Sequence, residues 1–268
     1  MAYEIRAPDM PDSPVQLGDI VVVGGGCYGT FYTQQLIDAR QKGKATYERL
    51  VVVDRDQACR LRHAVHLDQF ELVVEEWDAF FDRYLSEVAD GGSAIPANSM
   101  IVPSPLMPHL MYRWLLRRAR SRWPDRAVQT APLGRRLGTP YESTAPDLTQ
   151  YVSFADWLCP THCIEPSTCP VIRAPRTWEM GEALGNYVRT APRAEHVNGP
   201  VLFVCRHQVH GVGAFAVDEV VAGDQRVAEA GADAGPVDII VGTISACHGA
   251  VNRLRIGLSE PSGGSGNS

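Results

Sequence analysis

Asp19-Ile-Val-Val-Val-Gly24-Gly25-Gly26-Cys27-Tyr28-Gly29 is the stretch on which the reading of the fold turns. Ile20 to Val23 is a short β-branched run without polar alternation, the pattern of a strand buried on both faces. Glycines at 24, 26 and 29 follow it at once. A helical pattern comes next, with Phe31, Leu36 and Ile37 apolar and Gln34, Gln35, Asp38 and Arg40 polar, and it stops near Gly43. Arg49 to Val53 repeats the buried-strand pattern and closes on Asp54-Arg55-Asp56. In such a strand–turn–helix the first glycine permits the tight turn, and the second lets a pyrophosphate approach the backbone. The third lets helix and strand pack closely, and the helix N-terminus faces the phosphates. An acid at the end of the second strand would accept from ribose hydroxyls, so Gly24, Gly26, Gly29 and Asp54 are the expected nucleotide-binding residues.

The alternation continues outward. A short helix is expected at 57–65, strands at 70–74 and 99–102, and helices at 77–88 and 110–123. The stretch Asp19 to Asp56, with its Val51-Val-Val-Asp-Arg-Asp56 second strand, resembles the Rossmann dinucleotide-binding superfamily. It is most similar to NAD-binding domains of potassium-uptake regulators and related dehydrogenases. The resemblance covers roughly residues 18–122 and implies a fold and a ligand type: NAD or FAD, with Asp54 disfavouring a 2′-phosphate. The fold expectation is an α/β protein, a doubly wound, Rossmann-like parallel sheet with an irregular Cys/Pro-rich metal-binding insertion. Val201 to Cys205 and Val237 to Gly242 read as strands extending the same sheet. The expected organisation is an N-terminal arm at 1–17 and the nucleotide-binding unit at 18–123. A Cys-rich segment plus extending strands follows at 124–260, and a flexible tail at 261–268.

From Pro124 to about Pro200 the periodicity fails, apart from a helix near Thr177 to Arg189. Within this stretch lies Trp157-Leu-Cys159-Pro-Thr-His-Cys163-Ile-Glu-Pro-Ser-Thr-Cys169-Pro170. Three thiols at C-x3-C-x5-C spacing can converge on one metal centre, and two of them are followed directly by proline. The spacing matches neither bacterial ferredoxins nor paired C-x2-C zinc knuckles. Thiolates suit an iron–sulfur cluster or zinc alike. A 4Fe-4S cluster on Cys159, Cys163, Cys169 and Cys205 is the leading expectation. Cys247 or a histidine (His162, His207, His210 or His248) is the alternative fourth ligand, and a structural zinc site the alternative centre.

A net charge of -6 and a pI of about 5.7 argue against a nucleic-acid partner. No basic start followed by an apolar run opens the chain, and the aliphatic runs are strand-sized, so a cytoplasmic protein without a membrane segment is expected. There, seven cysteines are ligands, redox groups or small apolar residues rather than a disulfide framework. No Gly-x-Ser-x-Gly, His-Glu-x-x-His or Walker lysine motif is present, which removes three hydrolytic classes. Arg117, Arg118, Arg120 and Arg122 read as a solvated helix face. The functional expectation is a redox protein, an oxidoreductase or electron-transfer subunit joining a dinucleotide site to an iron–sulfur cluster, with a redox partner protein. The alternative is a non-catalytic NAD- or redox-sensing module with a structural zinc.

Overall fold

A computed structural model describes residues 13–66, 68–89, 95–160, 163–209 and 211–259. The first third runs β1 (Val15–Gln16), β2 (Ile20–Val23), α1 (Cys27–Gln41), β3 (Ala45–Thr46), β4 (Leu50–Asp54), α2 (Arg60–Ala64), β5 (Glu71–Val74), α3 (Trp77–Ala89) and β6 (Met100–Val102). The middle contributes α4 (Leu110–Arg122), β7 (Arg126–Ala131), β8 (Tyr141–Thr144), β9 (Gln150–Ser153), β10 (Thr168–Cys169), β11 (Ala174–Pro175) and α5 (Met180–Arg189). The end adds β12 (Val197–Val204), β13 (Arg206–Val209), β14 (Val212–Ala216), α6 (Val217–Ala230), β15 (Val237–Ile244) and β16 (His248–Ser259). The chain divides into two compact units. The first takes residues 1–108, 157–177 and 205–218, the second 109–156, 178–204 and 219–268. The expected arm at 1–17 lies outside the described residues except for its end, where β1 pairs in parallel with β3. The expected tail at 261–268 lies wholly outside them.

The expected doubly wound parallel sheet is not what the chain builds. In the first unit the sheet order is β13-β14-β6-β2-β4-β5. Its β6, β2, β4 and β5 are mutually parallel, but β14 pairs antiparallel with β6, and β13 antiparallel with β14. Parallel neighbours need crossovers, and α1, α2 and α3 lie between the parallel strands in the sequence. Ile20, Val22, Leu50, Val52, Met100 and Val102 share one buried cluster with Leu36 and Ile37 of α1. The two-residue period sends Val21, Val51, Val53 and Ile101 to the opposite face, and they are just as buried.

The second unit holds the larger surprise. Val201 to Cys205 and Val237 to Gly242 do not extend the first sheet. Val201 to Val204 fall in β12, with Cys205 just beyond it, and Val237 to Gly242 at the start of β15, in a separate sheet of order β12-β15-β16-β9-β8, to which β7 is added along β16. Only β12 and β15 run parallel there; the remaining pairs are antiparallel. The long β16 pairs with all of β15 on one side, and on the other with β9 and then β7. Met180, Leu184 and Tyr187 of α5 bury against Ile240, Ile244 and Val251. Asp238, within β15, is matched across the strands by Arg255 and Arg253. Burial works to raise its carboxyl, but the hydrogen bonds from Arg255 and Arg253 outweigh that and hold it below its ordinary range.

The arginines of α4 are a solvated face only in part: Arg120 is exposed, but Arg118 and Arg122 are half-buried. Arg118 and Arg122 both reach the buried carboxylate of Asp224 on α6, at 3.1 and 2.9 Å, and Arg120 Nε donates to the Val128 carbonyl at 3.0 Å. At the start of α4, His109 is buried. Its Nδ1 lies 3.0 Å from Thr243 Oγ1, its ring stacks on Tyr112 with centroids 5.1 Å apart, and Nε2 has no hydrogen-bond partner. Burial drives its pKa from 6.5 down to about 3, against a small opposing pull from Asp147. The folded chain therefore keeps His109 neutral where the unfolded chain protonates it. Between pH 6.5 and about 3 this residue should therefore make the folded state progressively less stable as the pH falls. Chemical denaturation across that range should give a shallower pH slope for His109→Gln; an unchanged slope would show that the ring is not held neutral.

Candidate functional site

The glycine loop lies between β2 and α1, as the motif requires. Gly24 has φ +86°, a left-handed conformation that glycine adopts without a Cβ penalty, and its N–H donates to the Val53 carbonyl at 2.8 Å. A Cβ on Gly29 would lie 1.7 Å from the Gly24 carbonyl oxygen, so α1 and the loop touch backbone to backbone. A Cβ on Gly25 would meet Cys59 Sγ at 2.4 Å, which identifies Cys59 as a packing residue beneath the loop. The Gly25 carbonyl accepts from Leu61 N–H of α2 at 2.9 Å and from Thr30 Oγ1 at 3.3 Å.

Gly26 differs. Its φ is −74° and ψ −157°, values open to any residue, and a Cβ there would meet nothing within 4 Å. It is the N-cap of the fifteen-residue α1, which has no side-chain cap and no acid in its first turn. The fold explains the glycines at 24, 25 and 29, but asks for none at 26. The empty space beside the uncapped helix end is a cradle that a side chain would fill, the geometry that suits a phosphate approaching backbone N–H groups. Asp54 Oδ2 accepts from Gly25 N–H at 2.6 Å and Oδ1 from Asp56 N–H at 2.8 Å. A carboxylate offers about four acceptor positions, so Asp54 can brace the loop and still receive two hydroxyls. Cys27 is exposed, and Arg60 Nη1 stands 3.1 Å from its Sγ.

The cysteine segment is more ordered than its composition suggests. Cys163 N–H donates to the Pro160 carbonyl at 3.0 Å, and β10 and β11 form a small antiparallel hairpin that buries Cys169. Arg176 ties the segment together, donating to the Glu165 carbonyl at 2.7 Å, while Glu165 N–H points at Cys163 Sγ at 3.4 Å. Burial raises the Cys159 thiol, and Cys163 and Cys169 raise it further, so both lie within electrostatic reach of Cys159. Cys205 lies in the first unit, as the cysteine segment does; there the phenol of Tyr32 on α1 senses it and His207 and Gly213 lie beside it.

Among the described residues, no three His, Cys, Asp or Glu side chains are grouped to hold a metal ion. His162 and His210 lie outside the described residues. Cys247 belongs to the second unit, where Trp178 Nε1 donates to its Sγ at 3.3 Å. There too His248 Nδ1 lies 2.8 Å from Ser153 Oγ.

Residues 111–257, more than half of the chain, match a family model described as "AF_1314_C: Uncharacterized protein, C-terminal domain". The chain belongs to that family. Cys159, Cys163, Cys169, Cys205 and Cys247 fall inside the matched span, and the glycine loop falls before it. No curated protein and no solved structure gives a match. Among the described residues, no helix is long and apolar enough to cross a membrane.

Proposed function

We propose that this chain is a redox protein whose first unit binds a dinucleotide, NAD or FAD, on the Gly24–Gly29 loop and Asp54. Cys159, Cys163 and Cys169, with Cys205, form its second centre, an iron–sulfur cluster. The observation that carries the reading is Gly26, a glycine that the fold does not require, at an uncapped helix N-terminus beside an anchored carboxylate. Bound there, a dinucleotide supplies hydride or, as a flavin, one-electron chemistry, and a cluster on the thiolates passes single electrons. The chain's own residues do the positioning. Gly24 and Gly29 set the turn, Asp54 holds Gly25 and orients the ribose, and the first turn of α1 faces the pyrophosphate. Around the thiols, burial raises the Cys159 thiol, so a metal held there would have to displace its proton.

Two measurements test this. Calorimetry of the folded protein with NAD and FAD as separate titrants should show binding to one of them, and NAD should bind better than NADP because Asp54 repels a 2′-phosphate. Protein purified without oxygen should be brown, with broad visible absorption that dithionite bleaches. A colourless protein carrying one zinc would replace the cluster by a structural site and turn the reading toward a sensing module. Absence of any nucleotide affinity would remove the reading altogether.

A further inference from the structure

The second unit contains a cavity of about 240 Å³ that the redox reading does not use. Arg135, Arg136, Phe154, Asn186, Tyr187 and Thr190 contribute to its wall. Arg135 is held in a fixed pose at the C-terminal end of α5. Its Nη1 donates to Thr190 Oγ1 at 3.0 Å, its Nη2 to the Tyr187 carbonyl, and its guanidinium lies 4.1 Å from the centroid of the Tyr187 ring. All three partners are neutral. Among the described residues no carboxylate pairs with Arg135, and its shielded Nε has no acceptor.

Arg136 is 75% exposed and has Glu142 at 3.6 Å. That carboxylate is already wrapped by three consecutive N–H groups, from Leu137 at 3.2 Å, Gly138 at 2.7 Å and Thr139 at 3.0 Å. With about four acceptor positions in all, Glu142 has little left for Arg136. Two guanidiniums therefore line one cavity with a single carboxylate, already hydrogen-bonded elsewhere, to balance them, while Phe154 and Tyr187 give it an aromatic wall.

We propose that this cavity binds a small organic anion. A carboxylate or phosphate head would pair with Arg135 and Arg136, and an apolar or aromatic body would lie against Phe154 and Tyr187. Planar guanidinium forks match both heads bidentately, and a fork already held in place loses little freedom on binding. The volume falls below the roughly 300 Å³ at which drug-sized pockets begin, so a ligand much smaller than a dinucleotide fits. The site is independent of the glycine loop and can fail or stand without it.

Calorimetric titration of the full chain with phenyl phosphate, benzoate and inorganic phosphate tests the proposal. Saturable one-to-one binding of phenyl phosphate or of benzoate is expected, and which of them saturates identifies the head. Arg136→Gln, at an exposed position that leaves the fold intact, should weaken that binding about tenfold or more. Arg136→Lys, keeping charge without the fork, should restore only part of it. Failure of the folded protein to bind any of the three probes would overturn the proposal. So would binding unaffected by Arg136→Gln, and inorganic phosphate binding as tightly as phenyl phosphate would overturn the assignment of an organic ligand.

Discussion

Gly29→Ala is expected to destabilise the first unit by about 3 kcal/mol or more, at the upper end of overpacking costs. Gly26→Val is expected to leave it folded and unable to bind NAD or FAD. The new Cβ at position 29 would stand 1.7 Å from the Gly24 carbonyl oxygen and 2.8 Å from its carbon. Both are backbone atoms, so no side-chain rotation relieves the clash. α1 must move off β2, against a total stability of only about 5–15 kcal/mol for a typical domain. At position 26 the backbone is ordinary and the space is empty, so the fold loses no more than a helix-cap preference, about 1 kcal/mol. The valine methyls would occupy the space through which a pyrophosphate reaches the amides of α1. Denaturant melts and calorimetry on both variants separate the two roles. Nucleotide binding by Gly26→Val at wild-type strength would sink the assignment of the loop, whatever the melts show.

The cysteines give the second large effect. In protein purified anaerobically, Cys159→Ser, Cys163→Ser and Cys169→Ser should each lower iron and sulfide content and loosen residues 157–177. This segment has little apolar core of its own and relies on a two-residue hairpin and Arg176. Cys205→Ser should do the same as the fourth ligand. Cys59→Ser should leave the metal content unchanged, because its sulfur packs under Gly25. Limited proteolysis alongside metal analysis reads both consequences at once. Full iron content in all three clustered variants would show that the thiols are neighbours without being ligands.

Much of the first unit was legible because its signals are local. The β-branched runs at Ile20–Val23 and Leu50–Val53, the helix between them and the acid at Asp54 occur where the residue pattern puts them. So do α3 and β6 and, in the second unit, α4, to within two residues. Steric demands such as the Gly24 turn and the Gly29 contact act within a few residues, and a sequence displays them directly. The cysteine spacing was equally visible, although spacing could not tell that Cys163 and Cys169 both act electrostatically on Cys159.

Strand partnership was not legible, and there the expected fold failed. Val201–Cys205 and Val237–Gly242 look like Ile20–Val23, since a buried apolar run carries no label for the sheet it joins. Their placement in a second, mostly antiparallel sheet depends on β16, which pairs with β15, β9 and β7 through contacts distant in sequence. β16 hides this role because Arg253 and Arg255 interrupt its apolar pattern, and Asp238 on the neighbouring strand, with Glu195 3.3 Å from Arg253, makes those charges compatible with the sheet. The basic stripe of α4 misled in the same way until Asp224 on α6 came beside it. By itself, then, the sequence determined the strands and helices of the first hundred residues and the tight glycine turn, where the forces act over a few residues. The tertiary structure alone decided which strands share a sheet, which charges are buried and which glycine the fold leaves unexplained, because each depends on partners the chain supplies from far away.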